Sequence, residues 1–334
     1  MTFVAAMVEA EMTLESDFLP SCSPLTTVPE KIAFFRQETD GYLRKGLSAA
    51  AMAFGPEFSG AMSALTVLLI QPDAIARRQV EQCISYVHEH GFTPILAEPL
   101  TLTVDMARQL WRFQFNAKTD GSRVIGESVY CRSPSLMLAL KDTRPTGTLP
   151  ASRRMTMLKG SSTPHKRKGD NLRSALGAAN RIFRCVHSPD EPLDVLRETA
   201  ILFDEPRLRR FYRQIAAKLR DGTPHDCQPG IGVVYEATAP HDINVDRAGQ
   251  RLLAKIRRVT EGGKTDAAAR LMHVIERVGQ SSPELDWSEF CRDLDALAID
   301  RYDWDSLLVA SSVVEYEIPG TPKLVPSLSS PSDR

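Results

Sequence analysis

Leu65-Thr66-Val67-Leu68-Leu69-Ile70 is an unbroken apolar run with β-branched residues, and it constrains everything around it. A short run without polar alternation fits a strand covered on both faces. Gln71-Pro72-Asp73 ends it, and Ile75, Val80, Cys83, Ile84 and Val87 then form one stripe of a helix closed by Gly91. Phe92 to Leu102 predicts a second strand, with Pro94 and Pro99 placing it at an edge. Thr103 caps a helix carrying Met106, Leu110, Trp111 and Phe113, and Leu136 to Leu140 predicts a third strand. Residues 141–170 are polar and rich in Pro, Gly, Arg and Lys, the texture of a long functional loop. Asp170 then caps a short helix over Asn171 to Arg181. Strands and helices alternate, which indicates an α+β or α/β layered fold.

Arg184-Cys185-Val186-His187-Ser188-Pro189-Asp190-Glu191 follows an apolar segment that begins at Ile182 and predicts a strand or strand end. Ser188 suits an N-cap, Pro189 the first helical position, and Glu191 completes a capping box. Leu193, Leu196, Ala200 and Ile201 recur at helical spacing, predicting a helix to about Phe203. His187 therefore sits where a strand hands over to a helix, beside amide groups free to meet an anion. Glu198 lies eleven residues on, about three turns along. A carboxylate there can fold back beneath the imidazole and orient it. Taken alone, the stretch fits a structural histidine near a cap better than a catalytic one.

The chain divides by texture into an N-terminal helical appendage (1–60), a central α/β-patterned region (61–220), a mainly helical part (221–325) and a Ser/Pro tail expected to be disordered (326–334). Pro20 to Thr27 reads as a loop, and Pro229 to Thr238 predicts a further strand. The helices after Asn244 form a packing subdomain, a lid or an oligomer interface. A net charge of −1 gives no global pull toward nucleic acid or membrane. Six scattered cysteines with no CxxC pair point to reduced thiols and a cytoplasmic setting. No signal peptide or membrane span is expected from the sequence.

Several segments in this order resemble the nucleoside diphosphate kinases, over roughly residues 64–214. Leu69-Ile70-Gln71-Pro72-Asp73-Ala74 looks like the family's first strand ending in Lys-Pro-Asp. Ser133-Pro134-Ser135 with Leu136 to Leu140 looks like the Ser-Gly-Pro turn and its following strand. Asn171-Leu172-Arg173 is similar to Thr-Ile-Arg, and Val186-His187-Ser188-Pro189-Asp190 with Glu198 is similar to the His-Gly-Ser-Asp motif and its helix.

The resemblance implies a four-stranded antiparallel sheet of the ferredoxin type with helices on one face, within an α+β fold carrying N- and C-terminal helical additions. It also implies a ping-pong phosphotransferase. His187 would take the γ-phosphate of a magnesium-bound nucleoside triphosphate such as ATP, and Glu198 would fix its tautomer. Arg173 with Arg154 or Arg153 would supply charge to the phosphates, Thr163 would match a phosphate-binding threonine, and Trp111 would replace a tyrosine wall. Magnesium would arrive with the nucleotide, with no metal held by the protein. The acceptor would be a nucleotide or a specialised molecule, and the family's homo-oligomeric assembly is expected here too.

Four departures qualify this. Gln71 replaces the lysine, removing charge worth on the order of 2–4 kcal/mol of transition-state stabilisation. Arg184 stands where the family has asparagine and would restore part of that charge. Pro189 takes the serine position, with Ser188 beside it as a substitute, and one extra residue separates Arg173 from His187. These argue against a housekeeping role and for a specialised phosphotransferase. The alternative is a catalytically weakened nucleotide-binding regulatory or assembly protein. Bland assignments exist for the rest. The basic run 153–168 is a phosphate-binding or solvated loop, with no aromatic interleaving to suggest nucleic acid. His88 and His90 are surface residues, and Cys185, expected on the His187 strand face, is a buried thiol.

Overall fold

β1 (Leu65–Ile70) is buried along its whole length because neighbours flank it on both sides and both faces. With β2 (Phe92–Leu100), β3 (Ser135–Asp142) and β4 (Val186–His187) it forms one antiparallel sheet in the order β2-β3-β1-β4, the ferredoxin-like arrangement. The computed structural model describes residues 25–37, 41–144, 149–222, 225–261, 265–279 and 285–325. The tail expected at 326–334, the start of the N-terminal appendage and most of the Pro20–Thr27 loop lie outside the described residues.

Helices α1 (Pro29–Gln37), α2 (Gly41–Phe54) and α3 (Phe58–Ala64) precede the sheet. Between β1 and β2 come α4 (Pro72–Ala76) and α5 (Val80–Glu89); between β2 and β3 come α6 (Val104–Leu110), α7 (Arg112–Phe115) and α8 (Asp120–Tyr130). α9 (Ala151–Lys159) and α10 (Leu172–Ala175) lead to β4. After it run α11 (Pro192–Leu202), α12 (Glu205–Asp221), α13 (Gln228–Glu236), α14 (Val245–Val259), α15 (Asp266–Glu276), α16 (Trp287–Ala296) and α17 (Trp304–Val313).

Strand alternation sends Leu65, Val67 and Leu69 to one face, into an apolar cluster shared with α2, α11 and α12. Leu68 and Ile70 go to the other, against Val80, Cys83 and Val87 of α5 and Ile231 and Val234 of α13. Both faces are covered, as the apolar run predicts, and the expectation of helices on one face does not hold. β2 is an edge strand, and its register shifts between Pro94 and Leu96, where proline withholds a ladder donor.

Four local expectations are overturned. The helix before β4 is capped by Asn171 and not Asp170, and spans only Leu172–Ala175. The stretch expected to be a loop holds α9, whose Ala151 and Met155 enter the second cluster. The strand expected at Pro229–Thr238 is α13, with Ile231 and Val234 on its buried face at helical spacing. The helix after His187 begins at Pro192 and not at Pro189. Glu191 is its N-cap, and a reciprocal capping box links Glu191 with Asp194. Ser188 to Asp190 stay non-helical because Lys159 takes the Ser188 carbonyl (2.8 Å) and Thr156 takes Asp190 Oδ1 (3.0 Å).

Gly46 permits the packing that holds α11 in place. A Cβ there would lie 2.1 Å from the Leu196 carbonyl oxygen, so α2 and α11 touch backbone to backbone.

Candidate active site

Leu69 pairs with His187 across the β1–β4 ladder, so the imidazole leaves the sheet on the Leu69 face, toward α11. Glu198 is the seventh residue of α11, about two turns in, one fewer than expected because the helix starts later. Its Oε2 lies 2.8 Å from His187 Nε2. On the other side, Trp111 Nε1–H points at His187 Nδ1 at 3.4 Å, with the rings edge to face at 5.5 Å. An indole N–H only donates, so Nδ1 accepts with its lone pair. The ring proton then belongs on Nε2, where it donates to Glu198.

Burial, then Lys159 and Arg184, holds the His187 pKa well below the usual histidine value, so the ring is neutral near pH 7. Burial also pushes the Glu198 carboxyl up to about 8, with the Asp190 charge adding to the effect. A neutral imidazole with its lone pair on Nδ1 is the form that can act as a nucleophile.

The imidazole borders a cavity of about 520 Å³. Trp111, Thr163, Arg173, Arg184, Ser188 and Glu198 all line it beside His187. Arg173 donates to the Gly160 carbonyl (2.7 Å) and the Val186 carbonyl (2.9 Å), and its Nε is buried without a partner. Arg184 stacks over Trp111 at 4.7 Å and Tyr130 at 5.0 Å, donates from Nε to Gln71 Oε1 at 3.4 Å, and leaves Nη2 unpartnered. Ser188 Oγ is likewise buried and unpartnered. Orphaned buried donors are costly in a closed protein and are best explained by a ligand that accepts from them.

Three expected residues are not on the cavity wall: Gln71, Arg154 and its alternative Arg153. Gln71 is 1 % exposed and touches the site only through Arg184. Arg154 points away, to an ion pair with Asp142, the His90 carbonyl (3.0 Å) and the Phe92 ring (4.7 Å). The cation that α9 does present is Lys159. Five residues separate the two, which at about 100° per residue puts them on different faces. Burial pushes the Lys159 ammonium down to about 8, against the pull of Asp190, 3.6 Å away. Ala151, Met155 and Leu158 at helical spacing are the signal that would have exposed this face.

Cys185 does not share the His187 face. Its φ of 66° breaks the alternation and turns its thiol into the opposite apolar cluster. Asp73 Oδ2 takes its N–H at 2.9 Å, and its carbonyl takes Gln71 N–H at 2.8 Å. Sequence reasoning also missed contributions from both ends of the chain. Lys31 of α1 forms buried ion pairs with Glu191 (3.0 Å) and Asp194 (2.5 Å), and Tyr316 and Lys323 also line the cavity.

Residues 64–208 match the nucleoside diphosphate kinase family. The centre of the chain is a nucleoside-diphosphate-kinase-like domain. The chain is 28% identical over 148 residues to a thioredoxin domain-containing protein 3 homolog from Heliocidaris crassispina. That alignment covers 44% of this chain and spans only 17% of the relative's length. The nucleoside diphosphate kinase of Aquifex aeolicus overlaps 42% of this chain and 95% of its own, at 14% identity and a TM-score of 0.36. A family protein from Babesia bovis overlaps 43% and 90%, at 19% identity and 0.36. Overlaps at such scores carry no weight of their own; the fold rests on strand order and register. The kinase-like domain thus supplies β1–β4 and His187, while Lys31, Tyr316 and Lys323 lie outside the matched residues.

Proposed function

We propose that the kinase-like domain is a phosphotransferase that moves the γ-phosphate of a nucleoside triphosphate through His187 to a nucleotide or specialised acceptor. The observation that carries this is the imidazole with Nε2 tied to Glu198 and its Nδ1 lone pair turned to Trp111 on a basic cavity. Nδ1 attacks the γ-phosphorus, the bond to the bridging oxygen breaks, and the nucleoside diphosphate leaves with that electron pair. An acceptor phosphate oxygen then attacks the phosphorus, the P–N bond breaks and its electron pair returns to Nδ1, regenerating the imidazole; a hydroxyl acceptor releases its proton to solvent in the same step. Lys159, Arg173 and Arg184 stabilise charge on the equatorial oxygens, and Ser188 Oγ and Thr163 lie near enough to the same space to orient them. Trp111 N–H leaves Nδ1 as the phosphorus approaches and is free to donate to a phosphoryl oxygen.

The groups around the cavity's histidine are mainly cations and hydrogen-bond donors, a set suited to phosphate oxygens. Magnesium enters as part of the nucleotide substrate. Among the described residues no cluster of three or more His, Cys, Asp or Glu side chains has metal-binding geometry.

A second reading, a nucleotide-binding regulatory or assembly protein that transfers nothing, is favoured by the Trp111 contact on the attacking lone pair and by the uncharged Gln71. Incubation with γ-labelled ATP separates the two. Phosphotransfer gives an acid-labile, alkali-stable label that disappears in His187→Ala. Nucleotide binding without label would sink the enzyme and leave the binding protein.

A further inference from the structure

Carboxylates crowd the helix that orients His187. Asp190 precedes α11, Glu191 caps it, and Asp194 and Glu198 lie within it. Asp194 and Glu198 are four residues apart, so both face the same side of the helix. Glu191, Asp194 and Glu198 are all buried. Like charges so spaced repel, and more strongly where water is excluded.

The cation that meets them comes from α1, outside the matched residues. Lys31 is 4 % exposed, an unusual place for a lysine unless it is paired. Its Nζ lies 2.5 Å from Asp194 Oδ2 and 3.0 Å from Glu191 Oε2. Thr27 donates to Glu191 Oε1 from its N–H and its hydroxyl, each at 2.7 Å, and the Thr26 hydroxyl donates to Oε2. Phe34 and Phe35 set α1 edge to face against Phe113, with ring centroids 5.0 and 6.1 Å away. Glu191 and Asp194 are thus taken up by residues 26–31, and Glu198 is left to His187 Nε2 at 2.8 Å. Lys31, Asp194 and Glu198 line the same cavity as the imidazole.

We propose that Lys31 is a positioning residue for His187, supplied by a helix outside the kinase-like domain. By taking up Glu191 and Asp194 it leaves Glu198 as the carboxylate that turns to the imidazole. It also offsets the negative charge that would otherwise keep Glu198 protonated. The proposal rests on the phosphotransfer reading only for what the imidazole then does.

The other charged groups around Glu198 are Asp190, Lys159 of α9, Arg197 of α11 and His187 of β4. Arg44 and Lys45 of α2 are exposed, and Arg108 of α6 is paired with Glu127. Burial and then Asp190 push the Glu198 carboxyl up, while Lys159, Arg197 and Lys31 oppose them. Burial pushes Asp194 up to about 6, with Lys31 opposing and Glu198 adding to the effect. Without Lys31 the cluster reaches the same charge only at higher pH.

NMR of the histidine ring nitrogens in the full chain tests this without nucleotide. The His187 signals, identified by their loss in His187→Ala, should titrate near pH 8 as Glu198 ionises. Glu198→Gln should abolish that step. In Lys31→Met the midpoint should rise by about one pH unit, and Lys31→Arg should bring it back. An unchanged midpoint in Lys31→Met overturns the proposal. So does a midpoint that Lys31→Arg fails to restore, because charge would then not be what matters. Lys31→Met strips buried carboxylates of their cation and can prevent folding. Asp194→Asn covers that case. It keeps the shape and removes a negative charge from the Glu198 face, so the midpoint should fall, and an unchanged midpoint there also overturns the proposal. A histidine label with an unmoved midpoint in Lys31→Met would end this proposal and keep the phosphotransfer reading. A shifted midpoint with no label in wild type would do the reverse.

Discussion

The two faces of the sheet use the same strands to opposite ends. Behind β1, Leu68 and Ile70 sit in a closed apolar cluster with Leu136, Leu138 and Leu140, each no more than 1 % exposed. In front, the ladder that places Leu69 also places His187, and there the chain tolerates unpartnered donors on Gln71, Arg173, Arg184 and Ser188. Packing in the closed cluster supplies stability that tolerates unsatisfied polar groups around the cavity, although Thr66 Oγ1 on the Leu68 side is also buried without a partner. The contrast teaches where to look for function. A side chain kept buried and unpaired beside a cavity marks a place where a ligand's atoms belong.

The contrast can be broken most strongly from behind. Leu68→Ala removes a fully buried side chain from the closed face and should lower unfolding stability by about 2–5 kcal/mol. Denaturant melts would show this, while labelling per folded molecule should stay at the wild-type level. A large loss of labelling in the folded fraction would mean that the two faces are coupled.

On the front face, Gln71→Lys restores the family's charge at a position 1 % exposed and 3.4 Å from Arg184. Two buried cations side by side should lower stability by about 2 kcal/mol and bring no gain in labelling rate. A faster variant would show that Arg184 does not fill the missing lysine's role.

Glu198→Gln changes stability least near pH 4 and gives the sharpest pH test. Glu198 is held near 8 against an ordinary 4.5, so the folded state keeps a proton there that the unfolded state releases. Its contribution is fully present below about pH 4.5 and is lost as pH rises toward 8. At pH 9 Glu198→Gln should therefore melt higher than wild type, and at pH 4 the two should melt alike. Labelling by wild type should rise through pH 8, as the ionised carboxylate stabilises the charge that His187 gains on phosphorylation. The variant should label slowly with a flat profile, and an equally steep profile would mean another group titrates.

Much of the fold is legible in local pattern. The apolar run 65–70, the prolines of β2 and the spacing of Leu193, Leu196, Ala200 and Ile201 predict elements that the structure places within a few residues. Where patterns competed, the local rule lost. Ser188 looked like the better cap, but Lys159 and Thr156 hold residues 188–190 out of the helix, and Glu191 caps it instead. Arg154 was a candidate phosphate ligand only through the family resemblance, which defines no helix face in a stretch expected to be a loop; in α9 it turns to Asp142.

The sequence by itself determined the strand that must be covered on both faces, and the order of segments that sets His187 at a strand end with Glu198 along the next helix. Those follow from period, turn chemistry and spacing, which act over a few residues. Tertiary structure alone decided that Lys159 and not Arg154 faces the cavity, that Trp111 donates to Nδ1, and that Lys31 meets Glu191 and Asp194. Such pairings join residues distant in sequence, and their geometry exists only once the sheet and its flanking helices have closed around one core.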